Sequence, residues 1–352
     1  CGGRQWPGRA RAGSRRRPAP GRGRSGSGTV TQEEYGPSNR WSDHRVLIYR
    51  EDGHALGTVL AFLRAGLAVG EPALVTVGPT TAGGLRSFLG TLPAGLTLVE
   101  SASWWRGTNP GTLMAYDRQV RRLLATGASR CRVVAESPWQ ARTEGREWRR
   151  YEAASNVHFA ALPVSLLCLC DARVMPPEVV ADVRRTHPVV VGEGRNGQFV
   201  DPGSYVAGLD LPGAAPPSTC REATVGRRGV STLRRLVTAH AAEAGLPEER
   251  RRDLGLATTE AATNALRHGG TPARVRTWTE GRRFVCEVSD QGTGLVDPLA
   301  GYLPPGGQPG GSGLWLVRSL CEDTVVTSSP MGTVVRLSVP LDPPGRSAPG
   351  PG

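Results

Sequence analysis

The chain has 352 residues, enough for two domains at about 100 to 200 residues each. Its 38% hydrophobic and 21% charged residues describe a soluble globular protein, and the apolar run Leu162–Cys170 covers nine residues where a spanning helix needs about 20, which excludes a transmembrane protein. All 43 basic residues are Arg; without Lys there is no phosphate-binding loop ending Gly-Lys-Ser/Thr, no kinase with a strand lysine and no Schiff-base enzyme.

The net charge of +12 sits at the start of the chain. Residues 1–28 hold eight Arg and no acid, which leaves 35 basic against 31 acidic residues in the remainder. The folded part is therefore nearly neutral, and specific nucleic-acid binding is not expected. An Arg/Gly/Pro/Ser segment cannot bury enough apolar surface to fold, so residues 1–42 read as a disordered tail. The sequence begins with Cys rather than Met, and no secretory signal is expected from it, because no apolar core follows the Arg-rich start. The seven Cys include no Cys-x-x-Cys pair and most lie in apolar runs, which predicts reduced, buried thiols in a cytoplasmic protein.

From Arg45 the pattern alternates between short apolar runs and helical stretches. Strands are predicted at 45–50, 73–77, 96–99, 131–135 and 164–169, with helices at 55–69, 81–89, 110–126, 147–159 and 176–185. Strands alternating with helices build a parallel sheet covered on both faces, so residues 43–190 read as a doubly wound α/β domain. The Gly- and Pro-rich stretch 191–217 reads as a linker. After it come a strand near 220–225, helices over 230–244 and 248–268, four strand-like runs and a last helix. Phe284, Cys286 and Val288 alternate with polar neighbours, as do Val335, Leu337 and Val339, the signature of a sheet with one buried face. Residues 218–341 are thus an α+β sandwich, and the Pro/Gly-rich residues 342–352 a second disordered tail.

Three clusters in this second domain carry chemistry. Glu260 and Asn264 are four apart, so both project from one face of a helix. An amide oxygen there can ligate Mg²⁺, while the carboxylate can accept a proton. The run Asp290-Gln-Gly292-Thr-Gly294 follows a strand; its carboxylate can accept from an exocyclic amine such as adenine's, and the Gly residues let backbone approach a ligand. In Gly310-Gly311-Ser312-Gly313-Leu314 a loop runs into a helix, whose free N–H groups suit phosphate. Singly, each pattern is also met as solvated helix surface or an ordinary Gly-rich turn.

In that order, Glu-x-x-x-Asn, Asp-x-Gly-x-Gly and Gly-x-Gly-Leu resemble the GHKL ATPase superfamily over about residues 218–340. The resemblance implies a catalytic Glu260, a Mg²⁺ ligand Asn264, an adenine-reading Asp290, the site glycines Gly292 and Gly294, the lid residues Gly311, Ser312 and Gly313, and a second adenine contact at Thr333, with ATP and Mg²⁺ bound. Only 16 residues separate Gly294 from Gly311, and the short lid with Gly-Leu-Trp-Leu-Val-Arg318 is similar to the bacterial anti-sigma regulatory factor serine/threonine kinases. The partners so implied are a sigma factor and an anti-anti-sigma factor. Two alternatives stay open: a non-catalytic ATP-binding module that sequesters a partner, and a histidine kinase-like sensor lacking its own phosphoacceptor domain. His158, with Pro163 five residues on, lacks the acidic residue a phosphoacceptor needs and reads as a core or surface histidine.

The first domain resembles the MEDS sensory domain, a family related to phosphate-loop NTPases but without the lysine loop. The similarity rests on His44–Arg50, Glu136-Ser-Pro-Trp139, Tyr151-Glu152 to Asn156, Cys170-Asp171 and His187-Pro188. His44, Glu136 and Asp171 are placed at strand ends, where ligands sit in open α/β sheets, as a sensor pocket; each could equally cap a helix or pair with Arg. The expected protein is a cytoplasmic regulator without membrane contact, in which the sensor controls the kinase. Its oligomeric state, a homodimer included, is left open.

Overall fold

The computed structural model of the chain describes residues 43–104, 108–136, 145–209, 214–269, 272–302, 312–321 and 323–341, with the side chains of 145–147 outside that description. Both expected tails lie outside the described residues.

The first unit is a seven-stranded, mostly parallel sheet with strands β1 (His44–Tyr49), β2 (Ala73–Val77), β3 (Leu96–Glu100), β4 (Cys131–Glu136), β5 (Val164–Asp171), β6 (Val189–Val190) and β7 (Gly194–Arg195), in the order β3-β2-β4-β5-β1-β6-β7. Only the β6–β7 pair is antiparallel. All five residues of β2 are buried, as expected of a strand covered on both faces. On one face Leu47, Tyr49, Val75 and Leu167 pack against α1 (Asp52–Leu67) and α2 (Pro79–Leu89). On the other, the alternate residues Val46, Leu74, Val133 and Leu166 pack against α4 (Asn109–Leu124), α5 (Gly145–Ala160) and α6 (Pro177–Thr186). Helix α4 starts where it does because the Thr108 side chain accepts from the Gly111 amide and Pro110 occupies its first turn.

The region read as a linker contains structure. After β6 the chain turns into β7, then forms α7 (Pro202–Leu209), whose Tyr205 and Val206 are buried in a cluster shared with α5. Tyr205 donates to Asp182 Oδ1 at 2.9 Å. A Pro/Gly-containing octapeptide has poor intrinsic helix propensity; its burial in this cluster overrides that local preference. A single-turn helix α3 (Ser101–Trp104) was likewise not expected.

The second unit is a five-stranded antiparallel sheet of β8 (Arg221–Val225), β9 (Ala273–Glu280), β10 (Arg283–Ser289), β11 (Asp323–Ser329) and β12 (Gly332–Pro340), in the order β11-β12-β10-β9-β8. Helices α8 (Val230–Glu243), α9 (Glu248–His268) and α10 (Ser312–Leu320) cover one face, where Leu233, Leu254, Ala261 and Val317 meet Val275, Phe284, Cys286 and Leu337. Helix α9 is charged to suit its dipole, with Glu248 and Glu249 in the first turn and Arg267 and His268 in the last. The alternation in β10 predicted one buried face, but both are buried: Val285 is 1% and Glu287 4% exposed. As the central strand, β10 has Glu287 flanked on both sides, within ion-pair distance of Arg276 on β9 and Arg336 on β12.

The two units touch. Leu299 and Tyr302, in the stretch after the Asp290–Gly294 turn, share an apolar cluster with Ala153 and Ala154 of α5 and Tyr205 and Val206 of α7. Tyr302 is 1% exposed, and the buried Arg318 of α10 lies over its ring at 3.9 Å and donates to its hydroxyl at 2.7 Å and to Thr324 O at 2.9 Å.

Candidate functional site

A cavity of about 350 Å³ opens between α9 and the β10 and β12 strands, within the range of small-molecule sites. Val288, Val335, Ala261, Ala265 and Leu314 supply its apolar walls; Asn264, His268, Asp290 and Thr333 bring polar groups. The two motifs on α9 and at the end of β10 therefore meet, because α9 packs directly on that sheet.

Asp290 is the best-defined member. Its Oδ1 accepts from the Gly292 amide at 2.8 Å and the Thr333 amide at 3.2 Å, while its own amide donates to Thr333 O at 3.0 Å. This fixes the carboxylate at the junction of β10 and β12 and leaves Oδ2 without a hydrogen bond among the described residues, free to accept from a ligand amine. Gly294 has φ +82°, and a Cβ there would sit 2.7 Å from Ser328 Oγ, so this turn requires glycine. Gly292 and Gly294 line the cavity, as does Thr333, which the backbone pairing sets beside Asp290.

Asn264 lines the same cavity and lies against the start of α10: a Cβ on Gly313 would be 2.6 Å from Asn264 Nδ2. That close approach brings the helix start, with Ser312 as its first residue, beside the amide. Glu260, one turn earlier on α9, is partly buried but not on the cavity wall. Gly311 lies outside the described residues, together with 303–310. The donor set fits a magnesium nucleotide. Asp290 shares the cavity with the apolar side chains of Val288, Val335 and Leu314, and Asn264 offers a hard amide oxygen beside a helix N-terminus.

The three sensor-pocket residues separate. Glu136, at the C-terminal end of β4, accepts from the Tyr49 hydroxyl at 2.9 Å and, through Oε2, from the Gly78 amide that precedes α2 at 2.7 Å, so it acts largely as a cap. Asp171, at the end of β5, is bound by Arg173, whose hydrogen bonds hold its carboxyl below the ordinary value. His44 is at the opposite, N-terminal end of β1, and the expectation that all three share one ligand-bearing edge is corrected accordingly. His44 and Glu136 do line one narrow cavity of about 60 Å³ beneath the sheet, together with Trp104, Tyr116, Trp148 and Tyr151; Asp171 does not. Burial holds the His44 ring at about 4, against the hydrogen bond it donates to Asn156 Oδ1, and pushes His187 well down, with His44 adding to that effect. Sequence reasoning gave no joint role to Glu152, Cys168 and His187, which stand around His44. His158 is held by Asp117 at 2.8 Å, a core contact. The six cysteines among the described residues are free thiols. No helix among the described residues is long and apolar enough to cross a membrane.

Residues 43–188 match the MEDS family, described as MEthanogen/methylotroph, DcmR Sensory domain, and residues 226–339 match the histidine kinase-like ATPase domain. No curated protein matches the chain. Among solved structures, the RsbU and RsbW domains of Rv1364c from Mycobacterium tuberculosis are similar at 20% identity and a TM-score of 0.27 over 35% of this chain, which spans 33% of that one. The Acinetobacter baumannii histidine kinase AdeS is similar at 12% identity and a TM-score of 0.22, over 40% of this chain and 74% of that one. On the two family matches, the chain is a fusion of a MEDS sensory domain with a histidine kinase-like ATPase domain of the GHKL type.

Proposed function

We propose that the chain is an anti-sigma regulatory factor: a protein serine/threonine kinase that uses Mg-ATP, holds a sigma factor, and is switched by an anti-anti-sigma factor whose Ser or Thr it phosphorylates under control of the MEDS domain. The observation that carries the nucleotide part is the convergence of Asp290, with one carboxylate oxygen fixed and the other free, and Asn264 on one cavity. Asp290 Oδ2 would accept from the exocyclic amine of adenine, and Thr333 would add a second polar contact. Asn264 would hold Mg²⁺, which when bound neutralises phosphate charge. Glu260 would take the hydroxyl proton of the substrate side chain, and the start of α10 would position the phosphates; positioning and charge neutralisation supply most of the acceleration in phosphoryl transfer.

Control by the first domain has a physical route. Helix α5 packs Ala153 and Ala154 against Leu299 and Tyr302, between the adenine-side turn and α10, while Glu152 and Asn156 of the same helix face the sensor cavity or its His44 wall. The test is transfer of labelled γ-phosphate from ATP to a co-purified partner, followed by acid treatment. Acid-stable label on Ser or Thr is expected. Label that acid removes would mean a phosphohistidine and the histidine-kinase reading, and ATP binding with no transfer to any partner would mean a non-catalytic module.

A further inference from the structure

Four side chains in the first domain converge where neither the nucleotide site nor the fold requires them. His44 starts β1, Glu152 is on α5, Cys168 is on β5 and His187 follows α6; one ligand atom from each lies within 4.8 Å of all the others. All four also line the cavity beneath the sheet. We propose that they form a binding site for a divalent transition-metal ion, Zn²⁺ by the character of its donors.

The tautomers follow from the surrounding acceptors. His187 Nδ1 lies 2.8 Å from Val183 O, which can only accept, so the proton is on Nδ1 and Nε2 carries a lone pair. Asn156 Nδ2 donates to Glu152 O at 2.9 Å and Thr186 O at 2.8 Å, which turns its Oδ1 toward His44 Nδ1 at 2.9 Å. His44 is thereby also protonated on Nδ1, and its Nε2 lone pair points at Cys168 Sγ, 3.3 Å away. An imidazole fixed through Nδ1–H to an oxygen, with Nε2 turned inward, is the outer-shell arrangement that orients metal-bound histidines.

The unexplained atom is His187 Nε2. The residue is 1% exposed, and this nitrogen has no hydrogen-bond partner; the nearest acidic atom, Glu152 Oε2, is 3.8 Å away, beyond hydrogen-bonding reach. A buried lone pair without a donor is unfavourable, and a cation between it and the carboxylate would satisfy it. The spacing is right for one: with metal–nitrogen bonds of about 2.0–2.1 Å and a metal–sulfur bond of about 2.3 Å, the edges of a tetrahedron are about 3.3–3.6 Å. The His44–Cys168 and His187–Glu152 separations, 3.3 and 3.8 Å, lie close to these edges, and the remaining pairs, all within 4.8 Å, would close by side-chain shifts on binding. Two imidazoles, a thiolate and one carboxylate form a mixed N/S/O set that suits Zn²⁺ and disfavours the all-oxygen preference of Mg²⁺ or Ca²⁺.

The experiment uses the full chain without nucleotide, stripped with a chelator and titrated with Zn²⁺ or Co²⁺. One equivalent should bind, and the Co²⁺ form should show the intense d–d absorption of tetrahedral coordination with a thiolate charge-transfer band in the near ultraviolet. Cys168→Ser should abolish that band and weaken Zn²⁺ binding by more than 100-fold, and Asn156→Ala, which frees the His44 ring, should weaken it by about 10- to 100-fold. His187→Gln is the second ligand variant, should Cys168→Ser lose its fold by circular dichroism. A wild-type chain that binds no equivalent, or a Co²⁺ form without the thiolate band, would show four groups making only a polar core. Unchanged affinity in the folded ligand variants would place the metal elsewhere, and either result overturns the site.

Discussion

Replacing Asp290 by Asn separates the two jobs that this carboxylate is positioned to do. Oδ1 of an asparagine can still accept from the Gly292 and Thr333 amides, at 2.8 and 3.2 Å in the present structure, so the β10–β12 junction should hold. The second oxygen, however, becomes an NH₂ group, and an adenine amine would face a donor instead of an acceptor. A hydrogen bond to a charged group contributes about 1.5–3 kcal/mol, so its loss should weaken Mg-ATP binding by about 10- to 150-fold. Calorimetry on the full chain measures this, with the thermal midpoint as control. Asp290→Ala removes both functions and should lower the midpoint as well as the affinity. Wild-type affinity in Asp290→Asn, at an unchanged midpoint, would refute the adenine-reading role of this residue.

The other predictions concern chemistry, domain contact and pH. Glu260→Ala should bind Mg-ATP as the wild type does but transfer phosphate about 10²- to 10⁴-fold more slowly in a partner-phosphorylation assay, since it removes a general base and no cavity wall. Tyr302→Ala should cost about 3–5 kcal/mol in urea denaturation, because a fully buried ring over Arg318 is deleted, and should change ATP affinity as well. For Asp117, burial alone would raise the carboxyl, but hydrogen bonds from Arg121 and His158 outweigh it and hold the group below its ordinary 3.8. A depressed carboxyl stabilises the fold above its unfolded value and loses that contribution as pH falls through the folded one; the urea midpoint of Asp117→Asn should therefore fall less steeply than the wild type's below about pH 5.

Legibility followed the range of the interaction. Glu260 and Asn264 are read from a four-residue helical spacing, and Asp290 from the end of an alternating strand, because those relations are local. What the spacing does not contain is that α9 packs on β10 and β12, and only this packing places Asn264 and Asp290 on one cavity while leaving Glu260 off its wall. The same limit hid α7, whose eight residues have low helix propensity and fold because Tyr205 and Val206 find α5. It also misplaced His44: the residue opens its strand whereas Glu136 and Asp171 close theirs, so the parallel pairing of β1, β5 and β4 puts His44 at the opposite edge of the sheet. The set of His44, Glu152, Cys168 and His187 comes from separate elements up to 143 positions apart in the chain, so no local pattern could mark it.

Helix α5 ties these observations together. Glu152 and Asn156 are four apart and so share a face, which meets His44 and the sensor cavity; Ala153 and Ala154 belong to the cluster that receives Tyr302. Small side chains at 153 and 154 let the segment between the nucleotide turn and α10 approach the helix closely. Moving a two-state equilibrium from about 1:99 to 99:1 requires about 5.5 kcal/mol of differential binding, and burying one aromatic ring such as Tyr302 is of the same order, about 3–5 kcal/mol. Under the proposed control, a change at the His44 wall that shifts α5 by a fraction of a side chain would act on a contact large enough to bias the segment at 297–302. If that coupling exists, its converse follows by linkage: a ligand that reorders residues 297–302 alters the affinity of whatever α5 holds on its other face by the same factor.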